Sequence, residues 1–170
     1  DRGAMIILTI NSSPYHIGKI KERERVIQSN AMRNRVFISY TNMVGGQDEL
    51  VFDGRSMLVD GNGRVIARAK AFQEDLLISD IALSAVKKMA VRSIARIDKD
   101  LSKKIPMADN RIAAVVENTE EAYKALLLGL KDYVTKNGFK KAAIGLSGGI
   151  DSALVAALAV DAIGGENVTG

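Results

Sequence analysis

A short stretch of the chain, GLSGGIDS at residues 145–152, combines the residue types that bind a phosphate group. Gly148 and Gly149 carry no side chains, so backbone N–H groups there can approach an anion closely. Ser147 and Ser152 can each donate a hydroxyl hydrogen bond to a phosphate oxygen. The apolar run that follows predicts a helix, whose first turn adds unpaired N–H groups and a partial positive charge. The stretch is therefore typical of a loop that holds phosphate at the start of a helix.

Asp151 distinguishes this loop from the commoner phosphate loops. A carboxylate would repel phosphate directly, but it fits a Mg²⁺ ion that lies between the carboxylate and the phosphate oxygens. No lysine follows the second glycine, so the pattern matches neither G-x-x-x-x-G-K-[ST] nor G-x-G-x-x-G. The structural alternative is a tight strand-to-helix turn with Asp151 as its N-cap. Two serines and one acid at these offsets favour the phosphate site.

The elements around the loop predict the start of a nucleotide-binding domain. We expect a short strand at 141–146 and, after the loop, a helix to about Ile163 that Gly164-Gly165 ends. An earlier helix begins near Asn118, with Glu121 completing a capping-box-like start, and ends at Asn137-Gly138. Its apolar positions recur at helical spacing: Ala122, Leu126, Leu127, Leu130 and Val134. Helix, strand, glycine turn and helix is how a doubly wound, Rossmann-like domain opens.

The first 83 residues predict a separate α/β unit of one strand, one helix and four further strands. The helix covers 18–34, with Ile20, Ile27 and Ala31 on one face. Gly61-Asn62-Gly63 predicts a tight hairpin turn, and the GGQD stretch at 45–48 predicts a loop. The strands are expected at 4–11, 36–44, 50–60, 64–70 and 74–83. A connector containing Pro106 follows this unit.

Composition excludes several classes of function. The chain has no cysteine and one histidine, which excludes disulfides, a cysteine nucleophile within the chain and a thiolate metal site, and disfavours zinc. This composition is compatible with a reducing cytoplasm, where we expect the protein to act. The net charge of +4 arises from residues 82–118, where basic residues lack interleaved aromatics, so we expect no nucleic-acid binding. We also expect no membrane span, because no apolar run is long enough.

The loop also carries a family resemblance. SGGIDS at 147–152 is similar to the S-G-G-x-D-S signature of the ATP pyrophosphatase family, whose members split ATP into AMP and pyrophosphate. The resemblance implies that residues Gly145, Leu146, Ser147, Gly148, Gly149, Ile150, Asp151 and Ser152 bind ATP. It also implies that Asp151 helps to hold Mg²⁺. The signature alone does not choose among NAD synthetase, GMP synthetase, asparagine synthetase and tRNA-thiolating enzymes.

Residues 3–81 resemble the later part of a nitrilase-superfamily amidase domain. GAMIILTINSSPYHIGK and the long run GGQDELVFDGRS carry the resemblance. Such a domain followed by the ATP pyrophosphatase signature resembles the glutamine-dependent NAD synthetase family. That family hydrolyses glutamine to ammonia, adenylates deamido-NAD with ATP, and lets ammonia displace AMP to give NAD. The implied fold is α/β: the C-terminal half of a nitrilase-like α-β-β-α sandwich, a linker, and the start of a Rossmann-like domain.

The resemblance assigns part of a glutamine site and no catalytic residue. The family's S-P-x-x-I-G-[KR] element matches residues 13–19, which implies that Ser13 and Lys19 contact glutamine. The nitrilase triad of glutamate, lysine and cysteine finds no match in this chain, and its members are expected upstream. His16 aligns with a variable position and is interpreted as an ordinary loop residue. Asp53, Arg55 and Ser56 are expected to have structural or interdomain roles.

We therefore predict three regions: 1–83 (amidase part), 84–117 (interdomain linker) and 118–170 (start of the synthetase part). The chain is expected to be a segment of a larger homo-oligomeric enzyme whose substrates are L-glutamine, deamido-NAD and ATP. By itself it is expected to be inactive, with sheet edges and apolar surface left uncovered. Two alternatives stay open: an amidase fused to a different ATP pyrophosphatase, and a non-catalytic fragment or assembly module.

Overall fold

The computed structural model describes residues 4–83 and 110–170. Most of the predicted linker, including the part of the basic segment at 84–109, lies outside the described residues. The described elements are, in chain order, β1 (Ile6–Asn11), α1 (Lys19–Asn34), β2 (Phe37–Asn42), β3 (Val44–Gln47), β4 (Leu50–Asp53), β5 (Met57–Val59), β6 (Val65–Arg68), α2 (Asn118–Lys136), β7 (Ala142–Ala143), α3 (Ile150–Ile163) and β8 (Val168–Thr169). The predicted α/β class is confirmed.

A four-stranded sheet with the order β1-β2-β5-β6 forms the centre of the first unit. β1 and β2 run parallel, with α1 as the crossover, and the other two pairings are antiparallel. Helix α1 covers one face of the sheet, and its buried residues include the predicted Ile20, Ile27 and Ala31. The hairpin turn predicted at 61–63 joins β5 to β6 and is confirmed: Gly63 has a φ of 80° and donates its N–H to the Asp60 carbonyl at 2.9 Å. Among the described strands, β1 lies at one edge of this sheet, and Ile10 is 90% exposed.

The β3–β4 hairpin corrects two predictions. The GGQD stretch is not a loop, because Gly45, Gly46 and Gln47 belong to β3 and pair with β4. A Cβ atom at Gly46 would lie 3.0 Å from the Gly129 Cα of helix α2, so glycine here permits close packing between a strand and a helix. The single strand predicted at 36–44 is accordingly split into β2 and β3.

The single strand predicted at 50–60 is also wrong. It is split into β4 and β5, which belong to different sheets. Gly54 and Arg55 have φ values of 66° and 55°, and two successive left-handed residues turn the chain between the two sheets. The sequence marks this break, because Asp53-Gly54-Arg55-Ser56 separates the apolar run at 50–52 from the apolar run at 57–59.

The strand predicted at 74–83 is absent, since these residues form no described strand. Asp75 instead accepts hydrogen bonds from the Lys70 backbone N–H at 2.9 Å and from Arg111 Nη2 at 2.6 Å. Leu76 is 79% exposed. The side chain of Asp75, and not a neighbouring strand, therefore fixes the start of this segment. The strand predicted at 141–146 is likewise shorter, covering Ala142–Ala143 alone.

The second unit is a β–α–β arrangement preceded by helix α2. Strands β7 and β8 pair in parallel, and α3 connects them. Helix α2 ends as predicted at Asn137-Gly138, where Gly138 has a φ of 77°. The capping box is wrong, because α2 has no side-chain cap and the Glu121 carboxylate pairs with Arg55. The buried positions of α2 are Glu121, Ala125 and Val134, whereas the predicted Leu126 is exposed.

No helix of the described residues is long and apolar enough to cross a membrane.

Candidate functional site

The glycine loop at the start of α3 is exposed, and its two serines meet. Ser147 Oγ and Ser152 Oγ lie 3.0 Å apart, and Ser152 Oγ also donates to the Gly149 carbonyl at 3.0 Å. The backbone N–H of Ser147 donates to Ser152 Oγ at 3.3 Å. Gly148 has a φ of 82°, a conformation that L side chains rarely adopt. The loop therefore presents two adjacent hydroxyls beside the N-terminus of a 14-residue helix.

Asp151 lies in the first turn of α3 and does not cap it. The N-cap position is Gly149, which makes no side-chain capping hydrogen bond, so the alternative of an N-cap aspartate is wrong. The first helical hydrogen bond runs from the Ala153 N–H to the Gly149 carbonyl at 3.2 Å. A helix leaves the N–H groups of its first turn without partners inside the helix, and these groups suit an anion. The donor set thus fits a phosphate, with one exposed carboxylate beside it.

A multidentate metal cluster is not present in the described residues, where no group of three or more His, Cys, Asp or Glu side chains is placed to hold an ion. Asp151 is thus a single carboxylate at the loop. Mg²⁺ commonly uses one or two protein carboxylates together with substrate phosphates and water. The arrangement is chemically compatible with a metal ion that arrives with a nucleotide.

Ser13 lies in the turn after β1, and four hydrogen bonds fix it. Its N–H donates to Asn42 Oδ1 at 2.9 Å, and its carbonyl accepts from Asn42 Nδ2 and from Arg23 Nη2, each at 3.3 Å. Ser13 Oγ accepts a longer hydrogen bond from Arg23 Nη2 at 3.4 Å. Because Arg23 supplies the hydrogen in that bond, the Ser13 hydroxyl hydrogen can still be donated to a ligand.

Lys19 begins helix α1 and is held by a carboxylate. Its Nζ donates to Glu22 Oε1 at 3.3 Å. Glu22 also lies 3.6 Å from His16 Nε2, and His16 Nδ1 is 3.0 Å from the Ile17 carbonyl. The histidine thus has a carboxylate neighbour that its sequence context did not reveal, although both side chains are well exposed. Ser13 and Lys19 flank the same turn, and no described hydrogen bond joins either of them to residues 145–152.

The structure reveals a row of four buried charges that the sequence analysis did not assemble. We call Arg23, Asp53, Arg55 and Glu121 the buried charge chain; each is at most 5% exposed. Arg23 donates to both oxygens of Asp53, with distances of 2.9 and 3.1 Å. Arg55 Nη1 lies 3.9 Å from Asp53 Oδ2, and Arg55 Nη2 donates to Glu121. Two positive and two negative charges make the row neutral.

The buried charge chain clarifies the role of the FDGRS run. Asp53, Arg55 and Ser56 were expected to have structural or interdomain roles, and Arg55 forms a buried ion pair with Glu121 of helix α2. Ser56 Oγ accepts the Asn42 N–H at 3.0 Å, which orients the residue that fixes Ser13. The missed signal was the acid and the arginine within an apolar strand run, since buried charges require partners.

Helix α2 makes a second polar contact with the first unit, at its other end. The Gly46 N–H donates to Asp132 Oδ2 at 2.8 Å, and Lys136 Nζ donates to the Gly46 carbonyl. Asp132 and Lys136 also pair with each other at 3.2 Å. Helix α2 is therefore anchored to the β3–β4 hairpin near its C-terminus and to Arg55 near its N-terminus.

Tyr15 lies against the buried charge chain. Its ring meets Phe72 edge-to-face with centroids 5.2 Å apart, and its backbone N–H donates to the Val51 carbonyl at 2.7 Å. Burial raises the pKa of the Tyr15 phenol above its ordinary value, and the negative charges of Glu121 and Asp53 raise it further against the opposing effect of Arg55. The phenol is therefore expected to stay protonated at neutral pH.

Comparison with protein families divides the chain into two matched regions. Residues 1–91 match the family model for carbon–nitrogen hydrolase. Residues 122–170 match the family model for NAD synthase. The Arg55–Glu121 ion pair thus joins a residue of the first match to a residue directly before the second.

Relatives along the whole chain are similar in sequence and in structure. The glutamine-dependent NAD(+) synthetase of Aquifex aeolicus is 45% identical over 99% of this chain, and that of Synechocystis is 43% identical over 100%. A solved glutamine-dependent NAD+ synthetase from Acinetobacter baumannii, in complex with ADP, superposes on 96% of the chain with a TM-score of 0.75 and 37% identity. The chain spans 32% of the Aquifex protein, 27% of the Synechocystis protein and 27% of the Acinetobacter chain.

We predict that stability falls more steeply above pH 10 because of Tyr15. In the unfolded chain the phenol ionises near its ordinary pKa of 10.0, whereas in the folded protein the Tyr15 phenol keeps its proton to higher pH. The unfolded state then binds fewer protons, so the free energy of unfolding decreases as pH rises through this range. Tyr15→Phe should lessen the decrease, and Tyr133→Phe at an exposed position should not. Urea unfolding at a series of alkaline pH values measures the difference, and identical pH profiles for wild type and Tyr15→Phe would contradict it.

Proposed function

The chain belongs to the carbon–nitrogen hydrolase family, and we propose that it is a segment of a glutamine-dependent NAD synthetase. The whole enzyme would hydrolyse glutamine and use the ammonia to convert deamido-NAD to NAD, with ATP split to AMP and pyrophosphate. The observation that carries the proposal is the exposed SGGIDS loop at the start of α3, downstream of a carbon–nitrogen hydrolase match in one chain. The relatives of similar sequence order support it.

At the glutamine side, Ser13 and Lys19 would bind the substrate. The Lys19 ammonium supplies a positive charge for the glutamine α-carboxylate, and the fixed Ser13 turn supplies a hydroxyl donor. Glu22 would compete with the substrate carboxylate for Lys19, since the two already form an ion pair. The chain has no cysteine, so the nucleophile that the family resemblance implies would come from outside these 170 residues.

At the synthetase side, residues 145–152 would bind the phosphates of ATP. Ser147 would donate its hydroxyl hydrogen, and Ser152 would do so once its hydroxyl leaves the Gly149 carbonyl. The glycines allow the backbone to come close, and the α3 N-terminus stabilises negative charge. ATP would transfer AMP to the deamido-NAD carboxylate with release of pyrophosphate, and ammonia would then displace AMP. Ammonia must be kept from water on its way from the glutamine site to the adenylate. In water at neutral pH ammonia is almost entirely protonated to ammonium, which is not a nucleophile.

Asp151 would be the protein ligand of Mg²⁺. When bound, the ion would neutralise negative charge on the pyrophosphate leaving group. The carboxylate lies in the first turn of α3, beside the two hydroxyls, and is exposed to solvent. This position lets Asp151 hold an ion without contacting phosphate itself.

The experiment that tests the function is an assay of the full-length polypeptide with deamido-NAD, ATP, Mg²⁺ and glutamine. We expect NAD, AMP, pyrophosphate and glutamate in equal amounts, and no NAD when glutamine and ammonium are both withheld. Glutamine hydrolysis with adenylation of another acceptor would identify a different ATP pyrophosphatase. Absence of any ATP cleavage would support the non-catalytic module and overturn the proposal.

Replacing Ser147 should damage ATP use and spare glutamine hydrolysis. We expect Ser147→Ala to reduce adenylate formation about ten- to a hundred-fold, since one hydrogen bond to a charged group is lost. Pyrophosphate release measured with saturating deamido-NAD reports this step. Ser29→Ala, on the exposed surface of α1, is the matched control and should behave as wild type. Equal pyrophosphate release in both variants would remove the loop from the mechanism.

Replacing Lys19 should weaken glutamine binding specifically. We expect Lys19→Gln to raise the KM for glutamine about ten-fold or more through loss of a charge-assisted hydrogen bond, while NAD synthesis driven by ammonium chloride is unchanged. Lys21→Gln is the control, because Lys21 is exposed two residues further along the same helix. A glutamine KM that is the same in both variants would show that Lys19 does not contact the substrate.

A further inference from the structure

Glu121 is a fully buried carboxylate that lies at the boundary between the two matched regions. It belongs to the first turn of α2, and it is 1% exposed. Its partner, Arg55, is also 1% exposed and belongs to the carbon–nitrogen hydrolase match. An exposed acid would suffice to start a helix, so burial against an arginine of the other unit requires another explanation.

The contacts of Arg55 lead from Glu121 towards the proposed glutamine turn. Arg55 approaches Asp53 at 3.9 Å, and Asp53 binds both terminal nitrogens of Arg23. Arg23 Nη2 in turn donates to the carbonyl and the hydroxyl oxygen of Ser13. A continuous run of charged and hydrogen-bonded groups therefore joins helix α2 to Ser13.

The energetics of burial make this run respond as one unit. Each of the four charges has been taken out of water, and the attraction of its neighbours offsets that cost. If α2 moves and Glu121 withdraws, Arg55 loses its anchor and no longer fixes the position of Asp53. Asp53 is then free to shift, and Arg23, which is bound to Asp53, holds Ser13 less firmly.

We propose that Glu121 is a positioning residue for glutamine binding, supplied by helix α2 to the turn that carries Ser13. The inference rests on the proposed function and goes beyond it, because it makes the geometry of the glutamine turn depend on the docking of α2. Helix α2 also packs on α3, whose N-terminus carries the phosphate loop. Glutamine binding is thus tied to the presence of an ordered synthetase side.

The test is Glu121→Gln in the full-length polypeptide, with Glu120→Gln as the matched control. Glu120 is the adjacent residue of the same helix, its side chain is 51% exposed, and its partner is the exposed Lys124. We measure the KM and kcat for glutamine hydrolysis, the rate of NAD synthesis from ammonium chloride, and the melting temperature. We expect Glu121→Gln to raise the KM for glutamine about ten-fold while the ammonium-driven rate stays within about two-fold of wild type. Glu120→Gln should leave all four quantities unchanged.

A second variant removes the Arg55–Glu121 ion pair without leaving an unpaired buried charge. The double substitution Arg55→Met with Glu121→Leu keeps the Arg23–Asp53 pair neutral and replaces the lost pair with apolar volume, a change that proteins commonly tolerate. This variant should fold and should still raise the KM for glutamine, because the link from α2 to Asp53 is cut. It covers the case in which Glu121→Gln does not fold.

The remaining outcomes overturn the inference in distinguishable ways. A wild-type KM for glutamine in a folded Glu121→Gln or double variant overturns the positioning role alone. A parallel decrease of the glutamine-driven rate, the ammonium-driven rate and the melting temperature assigns Glu121 a purely structural role. If the wild-type polypeptide makes no NAD from either nitrogen source, the proposed function fails first and the inference fails with it.

Discussion

The rest of the described structure depends on burying four charges together. Arg23, Asp53, Arg55 and Glu121 come from α1, the end of β4, the turn after β4 and the start of α2. Desolvating charged groups costs several kcal/mol per ion, and loss of one partner from a buried pair costs about 3–5 kcal/mol. The row is stable only when all four elements are in place, because removing any one of them leaves an unpaired buried charge.

Shape complementarity in the β3–β4 hairpin permits this arrangement. A Cβ at Gly45 would lie 2.9 Å from Asp132 Oδ2, and one at Gly129 would lie 3.1 Å from Val51 Cγ2. At Gly46 the neighbour is the α2 backbone itself, with the Gly129 Cα 3.0 Å from an added Cβ, so a side chain there would push α2 away from the hairpin. The glycines of β3 and Gly129 of α2 let the helix approach the hairpin closely, and Glu121 anchors the start of the helix. Together they hold α2 at a single distance and rotation.

The sequence predicts elements well where local chemistry decides them and poorly where a distant partner does. Helix α1, the hairpin turn at 61–63 and the SGGIDS helix start follow from periodicity, positive φ and helix-end chemistry, all within a few residues. In the sequence Gly45 and Gly46 predict a loop, whereas in the structure they form a strand against which α2 packs. In the sequence Glu121 has the position of a capping residue, and only the fold brings it to Arg55, 66 positions away. No periodicity encodes either partner.

The same distinction separates the two candidate sites. The proposed phosphate loop is built from eight consecutive residues, with the contacts Ser147–Ser152 and Ser152–Gly149 inside it, so its sequence contains nearly all of its geometry. The Ser13 turn is held by Asn42 and Arg23, which lie 29 and 10 positions away, and Asn42 itself is oriented by Ser56. A local loop of this kind keeps its shape whenever its helix forms. A turn assembled from distant groups keeps its shape only while the elements that supply those groups stay packed, and this makes the Ser13 turn the one of the two that can respond to the state of the rest of the protein.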